Sequence, residues 1–420
     1  MHERPALLTL SLAVAILFYA LVVFFSQNIP QQDDYDSILY YLLNSSTVLN
    51  SALFDVHVSH RLALTRLLAE ATTLLGHGVD FRLLVYSGSL CLLGVVFLLF
   101  RTIRQREDRA LLLALICLSA FSLYHWSNMA WATAAVQNYA SLFAALACFY
   151  LFNQKTLATT TSAVLLGLAV PYISSNGLLV LPILLCWSAW SSGHLSAATK
   201  TSLVLVSSNL FSFCLYFLLL PTDTGKAFDP LPINAELPAL IRLVRAYLVI
   251  CAGYLHFEPL ALFAGTFING YFLLLVRRRY YTRNPVVFFF FSYLMLSMLL
   301  IALFRQDLGI RQLIASRYQV YTQLINALIA ISFLELGLDR WLLWQGFRKM
   351  LLAFFCSIYL ASFYYLGNLN SEKNRLESGI ADWRNSGSAS LYHPDPRRAS
   401  ELLSRSIDAA VYQLPADISQ

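Results

Sequence analysis

Charge is scarce in this chain: only 12% of its 420 residues are Asp, Glu, Lys or Arg, where soluble domains carry about 25%. A chain of this length has too few polar residues to cover a water-facing surface. The short signatures of nucleotide-driven and hydrolytic chemistry are also missing. G-x-x-x-x-G-K-[ST], G-x-G-x-x-G, H-E-x-x-H and G-x-S-x-G do not occur, so P-loop pumping and α/β-type hydrolysis have no support. No nucleic-acid module, fixed-period repeat, low-complexity tract or Gly-Ser linker is present. The seven cysteines form no C-x-x-C pair and sit in or beside apolar runs. These are the positions of small buried hydrophobes, not of a disulfide framework or a zinc site.

What the chain has is apolar length. Hydrophobic residues make up 58% of it and the mean hydropathy is +0.62. Most of the sequence falls into runs approaching the ~20 residues that cross a bilayer core. Ala6 to Phe25 is too long for a signal-peptide core and lacks an A-x-A exit, so it is read as a retained first span. Spans are expected near 6–26, 84–101, 110–124, 139–153, 160–172, 177–190, 201–220, 258–276, 286–304, 322–338 and 350–366. The expected fold class is therefore all-α: a polytopic integral membrane protein of about eleven transmembrane helices. Residues 1–366 form the membrane domain and 367–420 a small extracytoplasmic tail.

Three short connections are basic: Arg101, Arg104, Arg106 and Arg109; Arg277 to Arg279 with Arg283; and Arg340, Arg348 and Lys349. The positive-inside rule assigns them to the cytoplasm. The outward set is then 27–83, 125–138, 173–176, 221–257, 305–321 and the tail. Two outward stretches, Asp36 to Leu43 and Leu237 to Leu255, read as amphipathic helices along the membrane surface. Arg242 and Arg245 near the middle of the second argue against its crossing.

Outside the tail, this topology leaves nine basic residues on the outward side: Arg61, Arg66, Arg82, Lys226, Arg242, Arg245, Arg305, Arg311 and Arg317. Guanidinium forks bind phosphate oxygens bidentately, so an anionic head group or lipid-linked phosphate is the expected partner. In the first outward loop, Asp33, Asp34 and Asp36 put three carboxylates within four residues. Their mutual repulsion suits a general base or a metal site, and capping of the following helix accounts for only one of them. His57, His60, Arg61 and Arg66 are expected on one helix, with His57 and His60 spaced to share a metal but lacking a third ligand. Arg317 with Tyr318 places a phosphate- or sugar-clamping pair at the edge of a span. The Tyr124–Trp131 stretch, with two tryptophans and a histidine, reads as a membrane-interface belt or a sugar-stacking surface.

A first span, a long outward loop opening with the paired acids Asp33 and Asp34, many further spans and basic residues in later outward loops together resemble the GT-C class of membrane glycosyltransferases. The tail is shorter than the large soluble domains of many members. The resemblance implies transfer of a sugar from a polyprenyl-phosphate donor to a glycan or lipid acceptor on the extracytoplasmic face, with inversion, as in cell-envelope polysaccharide or O-antigen modification. It implies catalytic carboxylates among Asp33, Asp34 and Asp36. Donor phosphate contacts are expected from His60, Arg61, Arg66, Lys226, Arg305, Arg311, Arg317 and Tyr318, and any divalent metal (Mg or Mn) would be held by Asp33 and Asp34. The setting is a bacterial inner membrane with the site facing the periplasm, with membrane lipids and no nucleic acid as partners. A lipid-linked glycan polymerase or ligase, or a transporter or flippase, is the alternative.

Overall fold

The computed structural model describes residues 3–45, 51–57, 60–76, 78–104, 107–192, 199–219, 237–338, 346–386 and 391–415. Among these the chain is helical throughout, apart from turns and one two-stranded antiparallel hairpin, Val56–His57 with His60–Arg61. Each of the eleven expected span positions overlaps helix among the described residues. Six helical stretches are long and apolar enough to cross a membrane: Arg4–Phe25, Phe81–Thr102, Ala132–Asn153, Glu258–Arg277, Pro285–Leu308 and Phe347–Asn385. Four more, Arg109–His125, Leu157–Tyr172, Ser175–Trp190 and Thr201–Phe217, are apolar but shorter. The protein is thus an all-α protein with membrane-crossing helices.

Local chemistry sets several of these limits. The Thr156 hydroxyl accepts the Thr159 N–H at 3.2 Å and opens one short helix. Just after it, Pro171 sits in a 3-10 turn, where its missing N–H cannot extend an α-helical ladder. The Pro285–Arg305 and Gln319–Glu335 helices are apolar and buried on nearly every face, which puts them at the centre of the bundle.

The surface-helix expectations divide. Residues Tyr35–Asn44 are helical, but Tyr35, Ile38, Leu39 and Tyr41 are buried, so this stretch packs into protein and does not lie on a membrane surface. The Leu237–Cys251 helix has 15 residues, short of a crossing. It buries Ala246, Val249 and Ile250 and exposes Leu240, Ile241 and Val244, as an amphipathic helix should.

The connections collect at two ends. At one, the buried Glu335 carboxylate accepts from Arg104 N–H at 3.1 Å, from the Tyr280 hydroxyl at 2.5 Å and from Asn284 Nδ2 at 3.0 Å. Nearby, Arg348 pairs with Asp108 at 2.9 Å. The three basic connections therefore meet there; Arg106 and Arg340 lie outside the described residues. At the other end meet the first loop, the 125–133 and 173–176 turns, the 305–318 loop and the tail. The helical stretch from Phe347 to Ser386 runs across residue 367 with only a 3-10 turn at Phe363–Tyr365, and the tail beyond it packs onto the first loop.

Candidate functional site

The acidic triplet is built by the turn that follows the first helix. Gln32 adopts a left-handed φ of 48°, and its N–H donates to Tyr392 O at 2.7 Å. That turn sends its three carboxylates in three directions. Asp34 goes inward and is wholly buried. Its Oδ1 accepts Thr133 N–H at 3.0 Å and the Thr133 hydroxyl at 2.6 Å, and its Oδ2 accepts Gln31 N–H at 3.2 Å. It therefore caps the helix beginning at Ala132 from a distant loop, satisfying an N–H that the helix itself cannot. Burial dominates its ionisation and lifts its pKa to about 7, against the pull of the Thr133 bonds.

Asp33 faces outward, its side chain 45% exposed and 3.5 Å from His57 Nε2. Burial alone would raise its pKa. The His57 ring, through its N–H and charge, together with the Arg317 guanidinium, holds the carboxyl below its ordinary range. His57 and His60 do not lie on a helix; they face each other across the hairpin, in the register His57↔His60. Ser175 N–H donates to His60 Nδ1 at 3.4 Å and the Ser175 hydroxyl lies 2.8 Å from it. Gly177 lets the Ser175–Leu179 turn lie against the Val170–Tyr172 turn, since a Cβ there would sit 2.3 Å from Val170 C. Desolvation, then the neighbouring Arg305 and His57, push the His60 pKa down to about 3. His60, expected to contact the donor phosphate, is therefore a neutral hydrogen-bonding group.

Two of the expected phosphate-binding arginines are committed to the fold. Arg61 is fully buried and donates through Nε and Nη2 to Tyr216 O at 3.1 and 2.8 Å, and through Nη1 to Phe54 O. Arg66 donates from Nη1 to Ala52, Leu53 and Asp55 carbonyls at 2.9, 3.0 and 2.8 Å, and from Nε to Ser37 O at 3.3 Å. These bonds close the turn between the first-loop helices, so neither guanidinium presents an edge to a ligand. Lys226 lies outside the described residues, and Arg311 stands exposed in its loop.

Arg305 and Arg317 differ. Tyr318 is a buried platform for both, with Arg305 5.5 Å and Arg317 4.9 Å from its ring centroid, and Arg317 also lies 5.4 Å from the ring of Trp131. Among the described residues, these two guanidinium groups stack but form no ion pair or side-chain hydrogen bond with a protein acceptor. Asn128 Nδ2 holds the Arg317 carbonyl at 3.0 Å. Trp131, Tyr124 and His125 are buried, which corrects the belt expectation: this stretch is a floor beneath Arg317 and not a lipid-facing girdle.

Asp36 is taken by the tail. His393 Nε2 lies 3.0 Å and Arg398 Nε 2.6 Å from its two oxygens. Around this clasp, Gln32 Nε2 donates to the Tyr392 hydroxyl at 2.6 Å, Tyr412 donates to Asn28 O at 2.6 Å, and Val79 N–H donates to Val411 O at 2.8 Å. Arg375 stacks on Tyr392 at 3.6 Å. Both Asp36 oxygens, expected to serve catalysis, are thereby engaged by the tail.

The open site is thus one ionised carboxylate, Asp33, beside His57, a neutral His60 and two stacked arginines. Sequence reasoning missed Thr133, Ser175 and Tyr392, which no motif marks, and placed Trp131 without its partner. Because the Asp34 oxygens are filled by N–H and O–H donors, the Asp33–Asp34 pair offers a cation one carboxylate. No group of three His, Cys, Asp or Glu side chains is placed to hold a metal among the described residues. No protein-family model, curated protein or solved structure matches this chain.

Proposed function

We propose that this protein is a membrane glycosyltransferase that takes a sugar from a polyprenyl-phosphate donor and passes it to a hydroxyl-bearing glycan or lipid acceptor at the end of the bundle that holds the first loop. The observation that carries this reading is the pairing of an accessible, ionised Asp33 with two arginines, Arg305 and Arg317, whose guanidinium groups form no ion pair among the described residues.

In the reaction, the acceptor oxygen attacks the anomeric carbon as the bond from that carbon to the phosphate oxygen breaks. The acceptor proton passes to the Asp33 carboxylate. The lipid phosphate leaves with the bonding pair, and Arg305 and Arg317 neutralise the charge it gains. One displacement inverts the anomeric centre. Tyr318 and Trp131 hold the arginines by their faces, which leaves the N–H edges for phosphate oxygens. Two free guanidinium groups also suit a diphosphate, the donor of a lipid-linked glycan polymerase or ligase.

Purified protein in nanodiscs is incubated with a panel of polyprenyl-phosphate sugars and, separately, polyprenyl-diphosphate oligosaccharides, and the released lipid phosphate is measured. Turnover with a monophosphate donor that is lost in Asp33→Asn is the expected result. Turnover with diphosphate donors alone moves the assignment to a polymerase or ligase, and no turnover with either sinks transfer.

A further inference from the structure

The Glu258–Arg277 helix ends and the Pro285–Leu308 stretch begins with only residues 278–284 between them. Both are long and apolar enough to cross a bilayer, so the turn that joins them is held at the depth of the lipid headgroups. It belongs to the end of the bundle opposite the first loop. Arg277, Arg278, Arg279 and Arg283 are all exposed there, and the turn has no acidic residue. Among the described residues, none of these four guanidinium groups forms an ion pair or a side-chain hydrogen bond with the protein.

The turn that displays them is anchored. Tyr280 and Asn284 are buried. The Tyr280 hydroxyl donates to Glu335 Oε2 at 2.5 Å, and Asn284 Nδ2 donates to the same oxygen at 3.0 Å and to Thr102 O at 3.1 Å. Within the turn, the Thr282 N–H donates to Arg279 O and the Asn284 N–H to Tyr280 O, each at 2.9 Å. Arg279 takes a left-handed φ of 51°, a conformation that glycine or asparagine enters more easily. Local backbone preference therefore does not account for an arginine at that position. Beside the turn stands Trp190, 51% exposed, its ring 5.1 Å from that of Tyr281 and 6.0 Å from that of Phe289. A half-exposed tryptophan at the end of an apolar helix marks the headgroup level, where an apolar ring and a polar N–H both find their medium.

Four cations on 277–283 repel one another, and an anchored turn cannot spread them apart. An anion between them removes that cost. At headgroup depth the anion to hand is a lipid phosphate, which guanidinium forks grip bidentately. A zwitterionic lipid brings its own cation to the same place and offsets the gain. We infer that the 277–283 turn, fixed by its Glu335 anchor, is a binding site for the headgroup of an anionic phospholipid. It lies apart from Asp33 and Arg317 and does not depend on sugar transfer.

The test uses full-length protein in a non-ionic detergent, titrated with phosphatidylglycerol or phosphatidylcholine, with bound lipid counted by native mass spectrometry. Phosphatidylglycerol should bind the wild type at least about tenfold more tightly than phosphatidylcholine. Arg278→Gln with Arg279→Gln should remove at least about tenfold of that affinity. Arg278→Lys with Arg279→Lys keeps the charge but loses the planar fork, and should still cost about threefold or more. Melting temperatures should hold in both, because the side chains are exposed. Should the Gln pair fail to insert, the Lys pair carries the test. Excess glycerol phosphate should leave the lipid bound. Equal binding of both lipids, or wild-type affinity in either double variant, overturns the assignment and leaves a solvated basic turn. Displacement by glycerol phosphate overturns it too, in favour of a site for free phosphate.

Discussion

The end of the bundle that holds the first loop divides into a sealed half and an open half, each holding acids and arginines of the same kinds. In the sealed half, Asp34 accepts three hydrogen bonds, and Arg61 and Arg66 give theirs to backbone carbonyls of the 51–55 turn and of Tyr216. In the open half, Asp33 keeps a side chain 45% exposed, and Arg305 and Arg317 are held by their flat faces. A buried charge is stable only with its partners present, so the first set is consumed in folding and the second is left for a ligand. Presence of a residue type near a site thus says little; what matters is whether its hydrogen-bonding capacity is already used.

The largest effect expected from this contrast is on transfer itself. Removing a general base costs about 10²–10⁴-fold, so Asp33→Asn should lower turnover roughly 1000-fold with the melting temperature unchanged. Asp34→Asn keeps an acceptor oxygen for Thr133 and should retain turnover within about threefold. Equal losses in the two variants would erase the division between the halves.

The arginines give the next test. Arg61→Met or Arg66→Met strands buried carbonyls and should destabilise the protein by about 3 kcal/mol in denaturant titration in detergent. Arg317→Met should change stability by less than about 0.5 kcal/mol and raise the donor KM about tenfold. A stability loss in Arg317→Met comparable to that in Arg66→Met would mean that it, too, is structural.

How much of this could be read in advance follows from the range of each interaction. The membrane class and helix positions are properties of local composition, and each of the eleven expected spans overlaps helix among the described residues, with six helical stretches long enough to cross. The pair Asp33–Asp34 and the clamp of Arg317 and Tyr318 are legible because each is contiguous in sequence. What separates Asp33 from Asp34 is not: the donor that seals Asp34 comes from Thr133, 99 residues on. The helix expected at His57 and His60 is instead a pair of antiparallel strands, because i, i+3 spacing fits both geometries. Tyr392, His393 and Arg398 sit in a polar stretch with no motif, and only folding back brings them to the loop.

A pH titration sharpens the same contrast at smaller scale. The folded chain holds the Asp34 proton up to about pH 7, whereas the unfolded chain releases it near the ordinary value of 3.8. Between those values the folded state binds more protons, so stability should fall as pH rises, by at most about 1.4 kcal/mol per unit. Asp34→Asn should flatten that slope. Asp33, held below its ordinary range, stays ionised across the same window and should add none. A slope that survives Asp34→Asn would assign the titration elsewhere.

The smallest effect belongs to the tail clasp, and it tests whether the open half is shaped from outside. Arg398 is 52% exposed and Asp36 24% exposed, so their pairing should be worth under about 1 kcal/mol in a double-mutant cycle. His393, 6% exposed, holds the second Asp36 oxygen from a more enclosed position. Arg398→Ala alone should leave the tail docked, because Tyr392, Tyr412 and Val411 still bond the first loop through Gln32, Asn28 and Val79. His393→Ala with Arg398→Ala frees Asp36, three residues from Asp33, and should speed limited proteolysis of the tail while moving donor KM more than turnover. If the double variant lowers turnover as far as Asp33→Asn does, Asp36 belongs with the open half after all, and the tail's role is to hold a working carboxylate.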